Sequence, residues 1–197
     1  MHATVGVVAE LPPSRVQLDS RAVQVLAHPL RSRILTALRR DGAATATTLA
    51  ARLATNSGAT SYHLRKLADV DLVEELGSGR GKERWWKAAT EMHGWAERDV
   101  AGDPDGEAAS LWLRRHYFQQ FLHEYARWLD ESDEWPVSWR DAVGATDRTL
   151  ALSPEQLTSL ETDLMAVLDR YQNPDPRPDA DVRRVRFQIH AYPAELT

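Results

Sequence analysis

The sequence predicts an α+β fold in two parts. Residues 1–90 read as a domain of short helices closed by a β-hairpin, and residues 91–197 as a mainly helical extension ending in a short strand. Three observations predict it. Apolar residues recur at helical spacing through successive segments between Asp19 and Val70. Two short strand-like runs, Leu72–Leu76 and Glu83–Lys87, then flank the turn Gly77-Ser78-Gly79-Arg80-Gly81. Charge also divides along the chain: residues 1–90 carry 13 Lys and Arg against 8 Asp and Glu, and residues 91–197 carry 11 against 21, so the net −5 is +5 on the front and −10 on the back. A basic front half suggests a nucleic-acid module joined to something else.

Each element has a local cause. Asp19-Ser20 is a polar start for a helix carrying Val23, Leu26 and Ala27, and it stops at His28 because the residue before a proline is pushed out of helical geometry. Pro29 suits the first turn of a second helix with Leu30, Ile34, Leu35 and Leu38 on one face. Asp41-Gly42 closes it, with Gly42 expected in the left-handed conformation. A third short helix is predicted from about Thr47 to Ala54, burying Leu49, Ala50 and Leu53. Asn56-Ser57-Gly58 then signals a turn before a helix from about Ala59 to Val70. Two short helices across a tight turn, followed by a hairpin with a basic tip, constitute a winged helix-turn-helix.

The remainder is less regular. Glu91 to Gly106 is polar and reads as a connector. A long helix from about Ala108 to Asp130 carries Leu111, Phe118, Leu122, Tyr125 and Leu129 as a seam for another helix, the expected dimerisation surface. A linker holding Trp135, Pro136, Trp139 and Gly144 follows, then a short strand over Thr149–Leu152. Ser153-Pro154-Glu155-Gln156 is a capping box opening a helix with Leu157, Leu160, Leu164, Leu168 and Tyr171 on one face. A last strand is predicted with Val185, Phe187 and Ile189 inward and Arg184, Arg186 and Gln188 outward.

Composition excludes several classes. With 43% apolar and 27% charged residues the chain reads as an ordinary globular protein, and it has no apolar run long enough to span a membrane. Zero cysteines exclude disulfides, thiolate metal sites and cysteine nucleophiles. Thr4–Ala9 is a short apolar stretch without a basic lead-in, so no secretory signal is expected and the cytoplasm is the default location. No nucleophile–base pair, phosphate-binding glycine loop or carboxylate constellation is visible, so neither an enzyme nor a cofactor is predicted.

An α-helix fits the major groove, its leading residues reaching base edges while flanking cations hold phosphates. Ser57, Thr60, Ser61 and Tyr62 stand at the leading end of the fourth helix, and His63, Arg65 and Lys66 are the phosphate or base contacts expected behind them. Arg80, Lys82 and Arg84 form a cationic finger on the hairpin for an adjacent groove or backbone. Taken singly, each has a plainer role as a cap, a packing residue or a solubilising charge. Their ordered set favours double-stranded DNA as the partner.

Residues 20–88 resemble the arsenic-repressor-like (ArsR-type) winged-helix transcriptional regulators. The segments carrying the resemblance are Val25-Leu26-Ala27-His28-Pro29-Leu30-Arg31-Ser32-Arg33-Ile34-Leu35, Ser61-Tyr62-His63-Leu64-Arg65-Lys66-Leu67, Leu72-Val73 and Gly79-Arg80-Gly81-Lys82-Glu83-Arg84. The resemblance covers about a third of the chain and implies a homodimer placing two recognition helices in successive major grooves of a near-palindromic operator, with Ser57, Gly58, Ser61, Tyr62 and His63 on the DNA-facing part of each. Asp71 departs from it, standing where the family usually has glycine; Asp tolerates left-handed geometry better than most residues, so the turn is expected to persist. The third helix, Thr47–Leu53, also lacks the family's metal ligands. His116, His123 and Glu124 do not reproduce its other ligand pattern, so no metal site is predicted.

The main expectation is therefore a DNA-binding regulator, a repressor by the resemblance. The alternatives are a winged helix that binds protein, and a sensor gated by a metal or small molecule through the C-terminal region. For the last, Trp112, Trp128, Trp135 and Trp139 are the candidate pocket walls, although aromatics at helical spacing are more often plain core.

Overall fold

The computed structural model describes residues 15–77, 83–171 and 181–194. In chain order it contains β1 (Arg15–Gln17), α1 (Ser20–Leu26), α2 (Pro29–Asp41), β2 (Ala44–Thr45), α3 (Ala46–Arg52), α4 (Ser57–Ala68), β3 (Val73–Leu76), β4 (Trp85–Ala88) and β5 (Met92–Gly94). After a 3-10 turn at Glu97–Asp99 come α5 (Pro104–Glu131), a second 3-10 turn at Ser132–Glu134, α6 (Val137–Ala142) and α7 (Pro154–Asp169). The chain divides into two compact units, residues 1–122 and 123–197.

In the first unit the helix starts follow from their caps. Asp19 accepts the Ala22 N–H at 2.8 Å, Thr45 accepts the Thr48 N–H at 3.1 Å and Asn56 accepts the Ala59 N–H at 2.8 Å. Because Asn56 is the cap, α4 begins two residues earlier than the sequence suggests, and Ser57 and Gly58 belong to its first turn. The ends are equally local. Asp71, at φ +56°, takes the left-handed position after α4; its N–H reaches the Ala68 carbonyl at 3.1 Å and the Leu72 N–H reaches the Leu67 carbonyl at 3.0 Å. Ala54, at φ +51°, does the same after α3, with Thr55 bonded to the Ala50 carbonyl at 2.9 Å. Gly42 closes α2 at φ +81° but ψ −167°, a region that side chains avoid; it is not the left-handed helical cap expected.

α1, α2, α3 and α4 pack around Leu26, Ile34, Leu35, Leu49, Leu64 and Leu67, all essentially without solvent exposure. One side is covered by an antiparallel sheet of order β2-β4-β3. Its register sets Ala44 opposite Trp86 and Glu74 opposite Lys87, which form an ion pair at 2.7 Å. The hairpin was legible in the sequence; the two-residue β2 was not, nor was the parallel pairing of β1 with β5 that sets Val16 opposite His93.

The stretch from Glu91 to Gly106 is not a bare connector. It supplies β5, buries Val100 and ends in Asp103, which accepts from Ser20 and, at 2.7 Å, from Gln24 of α1. α5 buries Gly106, Ser110 and Leu113, and the Trp95 indole donates to Ser110 at 2.7 Å. Gly106 is needed there: a Cβ would stand 2.1 Å from the Ser20 hydroxyl oxygen.

A buried polar chain ties these elements together. Arg39 of α2 donates to the Thr90 carbonyl at 2.9 Å and to Nδ1 of His93 in β5, and Nε2 of His93 lies 3.0 Å from the Tyr117 hydroxyl of α5. Because Arg only donates, His93 accepts at Nδ1 and carries its proton at Nε2. Burial, with Arg39 beside it, pushes the His93 ring down to about 3, and burial likewise brings the Arg39 guanidinium down to about 10.

In the second unit α7 starts as its capping box requires: Ser153 accepts the Gln156 N–H at 3.3 Å and the Gln156 side chain accepts the Ser153 N–H at 2.9 Å. None of its described residues is buried. α6 stands where a linker was expected, with Pro136 immediately ahead of its first turn. The strands expected at Thr149–Leu152 and at the chain's end are not formed. Val185, Phe187 and Ile189 are exposed, as Arg184 and Arg186 are, and Gln188 is half-buried, so the predicted inward face is not formed. A strand is held by its neighbours, and among the described residues no strand follows β5 to pair with this segment.

Candidate nucleic-acid interface

α4 is two-sided. Ser57, Gly58, Ser61, Tyr62, Arg65 and Lys66 form one stripe, spaced by one, three, one, three and one along the helix, and all are exposed or half-exposed. Tyr62 is 50% exposed. Thr60, His63, Leu64 and Leu67 form the opposite, buried stripe. Thr60 and His63 thus do not face outward as expected. The Thr60 hydroxyl donates to the Asn56 carbonyl at 3.0 Å, and His63 packs inside. The spacing Thr60, Leu64, Leu67 carried this signal: those positions share one helix face with the leucines.

The outward stripe is ordered by its own contacts. Arg65 Nε donates to the Ser61 carbonyl at 3.2 Å. The Lys66 ammonium lies 5.9 Å from the Tyr62 ring centroid and 3.5 Å from Asp69. At the hairpin base Arg84 is exposed and pairs with Glu75 at 3.5 Å. Arg80 and Lys82 lie outside the described residues.

Between the start of α3, the middle of α4 and the start of β4 runs a cleft of about 370 Å³. Trp86 lines it, with the hydroxyl residues Thr45, Thr47 and Ser61 and the guanidinium residues Arg65 and Arg84; Glu83 is the acid in its lining. Hydroxyl and guanidinium donors of this kind hydrogen-bond phosphate oxygens and fix register without reading sequence. Trp86 and its exposed neighbour Trp85 were not singled out in the sequence as part of this region, although their alternation in a strand marks one face in and one out.

The other predicted residues are distributed as follows. Leu111, Phe118, Leu122 and Leu129 on α5 are each about half exposed, and Tyr125 stacks on Trp128 at 5.8 Å. Trp112, in the first unit, stacks on His116 at 4.7 Å and packs against the core. Trp135 and Trp139, in the second, meet edge to face at 6.4 Å. Burial lowers the His116 pKa, while Glu124 is engaged by Arg186. Among the described residues no group of three or more His, Asp or Glu side chains is placed to hold a metal ion, and no helix is long and apolar enough to cross a membrane.

Comparison with known proteins bears on the same segment. Residues 26–75 match the helix-turn-helix domain family, a span from the end of α1 through most of β3. No curated protein matches the chain. Among solved structures, the chain is similar to the homodimeric winged helix-turn-helix DNA-binding domain of a possible ArsR-family transcriptional regulator from Mycobacterium bovis, with 21% identity, 51% of this chain and 77% of that chain covered, and a TM-score of 0.34. It is also similar to a possible transcriptional regulator for arsenical resistance, with 29% identity, 66% and 99% covered and a TM-score of 0.31. A third is the apo form of MarR from E. coli, with 18% identity, 76% and 87% covered and a TM-score of 0.32.

The matched domain, carried on a sheet with a hairpin directly after the fourth helix, defines the class of this segment: a helix-turn-helix domain of the winged kind.

Proposed function

We propose that this protein is a DNA-binding transcriptional regulator, a repressor of the ArsR type, binding a near-palindromic operator as a homodimer. α4 enters the major groove with Ser57, Gly58, Ser61 and Tyr62 toward the bases. Arg65, Lys66, Arg84 and the hairpin tip with Arg80 and Lys82 hold the backbone. The exposed residues Leu111, Phe118, Leu122 and Leu129, with Tyr125, join the two copies, and occupancy of the operator excludes polymerase. The carrying observation is the outward stripe of α4, polar, cationic and unobstructed within the first unit, beside a cleft lined with phosphate-type donors.

Gel-shift titration over a salt series tests this reading. Binding weakens steeply as salt rises, with a log–log slope of about −0.9 per phosphate contacted. A salt-independent association, or none with any duplex, overturns it in favour of a protein-binding winged helix. Transcription from the bound promoter falls when the protein is added; a rise overturns repression.

A further inference from the structure

The start of α2 leaves backbone N–H groups without partners inside the helix, and His28 supplies one acceptor. Held extended at φ −146° and ψ 130°, it accepts the Leu30 N–H at Nδ1, 3.1 Å away. A ring nitrogen that accepts carries no proton, so this bond requires neutral His28 protonated at Nε2. The His28 ring lies against His63 of α4, with centroids 4.4 Å apart and planes inclined by 39°. His63 is buried, and its Nδ1 has no hydrogen-bond partner among the described residues. Arg31 of α2 faces the pair, anchored through Nε to the Val25 carbonyl of α1. On α4 itself Tyr62 meets His63 edge-on at 5.1 Å, with the Lys66 ammonium over the Tyr62 ring.

We infer that His28 and His63 form a pH-sensitive clasp on the recognition helix: with both rings neutral it seats α4 against the start of α2, and protonation of either ring releases it and weakens DNA binding. This deepens, and rests on, the DNA-binding reading above. A proton on His28 Nδ1 removes the α2 cap, and a proton on His63 sets a cation against a ring stack already beside Arg31. Burial first, then Arg31, lowers the His28 pKa; burial, His28 and Arg31 lower that of His63. In the unfolded chain both rings take up protons at about pH 6.5. The seated arrangement is therefore fully stable above that range and is lost as pH falls through the lower range of the folded rings. Ordinary DNA interfaces respond oppositely, because added positive charge strengthens phosphate attraction. The sign of the response thus separates the two.

The test uses a duplex enriched from a random-sequence pool at pH 8. Its affinity is followed by fluorescence anisotropy from pH 8 to 5.5 at constant ionic strength, alongside thermal unfolding over the same range. The wild type is compared with a double variant, His28→Asn and His63→Phe; Asn retains a capping acceptor and Phe retains the stack. Wild-type affinity falls about tenfold across the range, while the double variant falls less than about twofold. Affinity that is flat or rises with acid in the wild type, or an equal fall in both proteins, overturns the clasp. If no duplex is retained at pH 8, it is the DNA-binding reading that fails. The clasp is then judged by unfolding alone: an acid-induced drop in Tm that is larger in the wild type than in the double variant, which keeps the share due to His93, supports it, and equal drops overturn it. Should the double variant not fold, NMR titration of the wild-type imidazoles decides. Both titrate below the ordinary range if the clasp exists, and a ring titrating at or above it overturns the proposal.

Discussion

The first unit meets its own apolar pattern and the second does not. Leu26, Ile34, Leu49, Leu64 and Leu67 are each the inward member of a helical stripe and find one another, with Trp86 and Val100 closing the sides. In residues 123–194 the same kind of stripe, Leu157, Leu160, Leu164 and Leu168 on α7, has no buried member among the described residues. Equal amphipathicity therefore does not imply equal burial. A stripe is stabilising only to the extent that another surface removes it from water.

The largest test of this difference is truncation. Leu64→Ala removes a fully buried side chain and costs about 3 kcal/mol in urea unfolding, whereas Leu129→Ala or Leu157→Ala costs under about 0.5 kcal/mol in the monomer. A loss at Leu129 that matches Leu64, and that grows with protein concentration, instead shows the seam covered by a second copy.

Acid is the next lever. With the folded His93 ring at about 3 and an unfolded value near 6.5, unfolding takes up a proton between those limits. Stability from this site is complete above pH 6.5 and declines below it by about 1.4 kcal/mol per pH unit. Urea unfolding at pH 6.5, 5.5 and 4.5 reads the slope, and His93→Asn flattens it.

Gly106→Ala comes third. Its methyl group meets the Ser20 hydroxyl and costs about 2 kcal/mol, with much of the loss recovered in the Ser20→Ala background. On the interface, Arg65→Ala and Arg84→Ala each lower the salt slope of DNA binding by about one, while Arg183→Ala, whose partner is Asp181, leaves it unchanged. The smallest effects are at the left-handed positions. Ala54→Gly and Asp71→Gly each stabilise by about 0.5–1 kcal/mol, read as a rise in Tm, with Ala54 gaining more because alanine has no side-chain polar group to ease that geometry.

Legibility tracks how local the cause is. Asp19, Pro29, Asn56 and Ser153 announce their helices because a cap acts within three residues. The hairpin is equally short-range. β1 and β2 are invisible because Arg15 is paired by Met92 and Ala44 by Trp86, partners some seventy-seven and forty-two positions away in the numbering. On α5 the seam of large residues was readable as a surface for another helix, whereas the face buried within the first unit, Gly106, Ser110 and Leu113, was not, because glycine and serine carry no apolar signal. At the interface the stripe of Ser57, Ser61, Tyr62 and Arg65 was readable, and the inward side of Thr60 was carried by its spacing to Leu64 and Leu67, whereas the burial of His63 depended on where His28 and α2 lie. The C-terminal alternation of Val185, Phe187 and Ile189 has the right period and, among the described residues, no sheet to join.

The chain from Arg39 through His93 to Tyr117 has a mechanical consequence. A guanidinium stripped of water cannot give up its acceptors cheaply, so α2 and the Tyr117 turn of α5 behave as parts of one lever, with β5 as the pin. The Tyr117 turn is thereby tied to the helix that packs on α4.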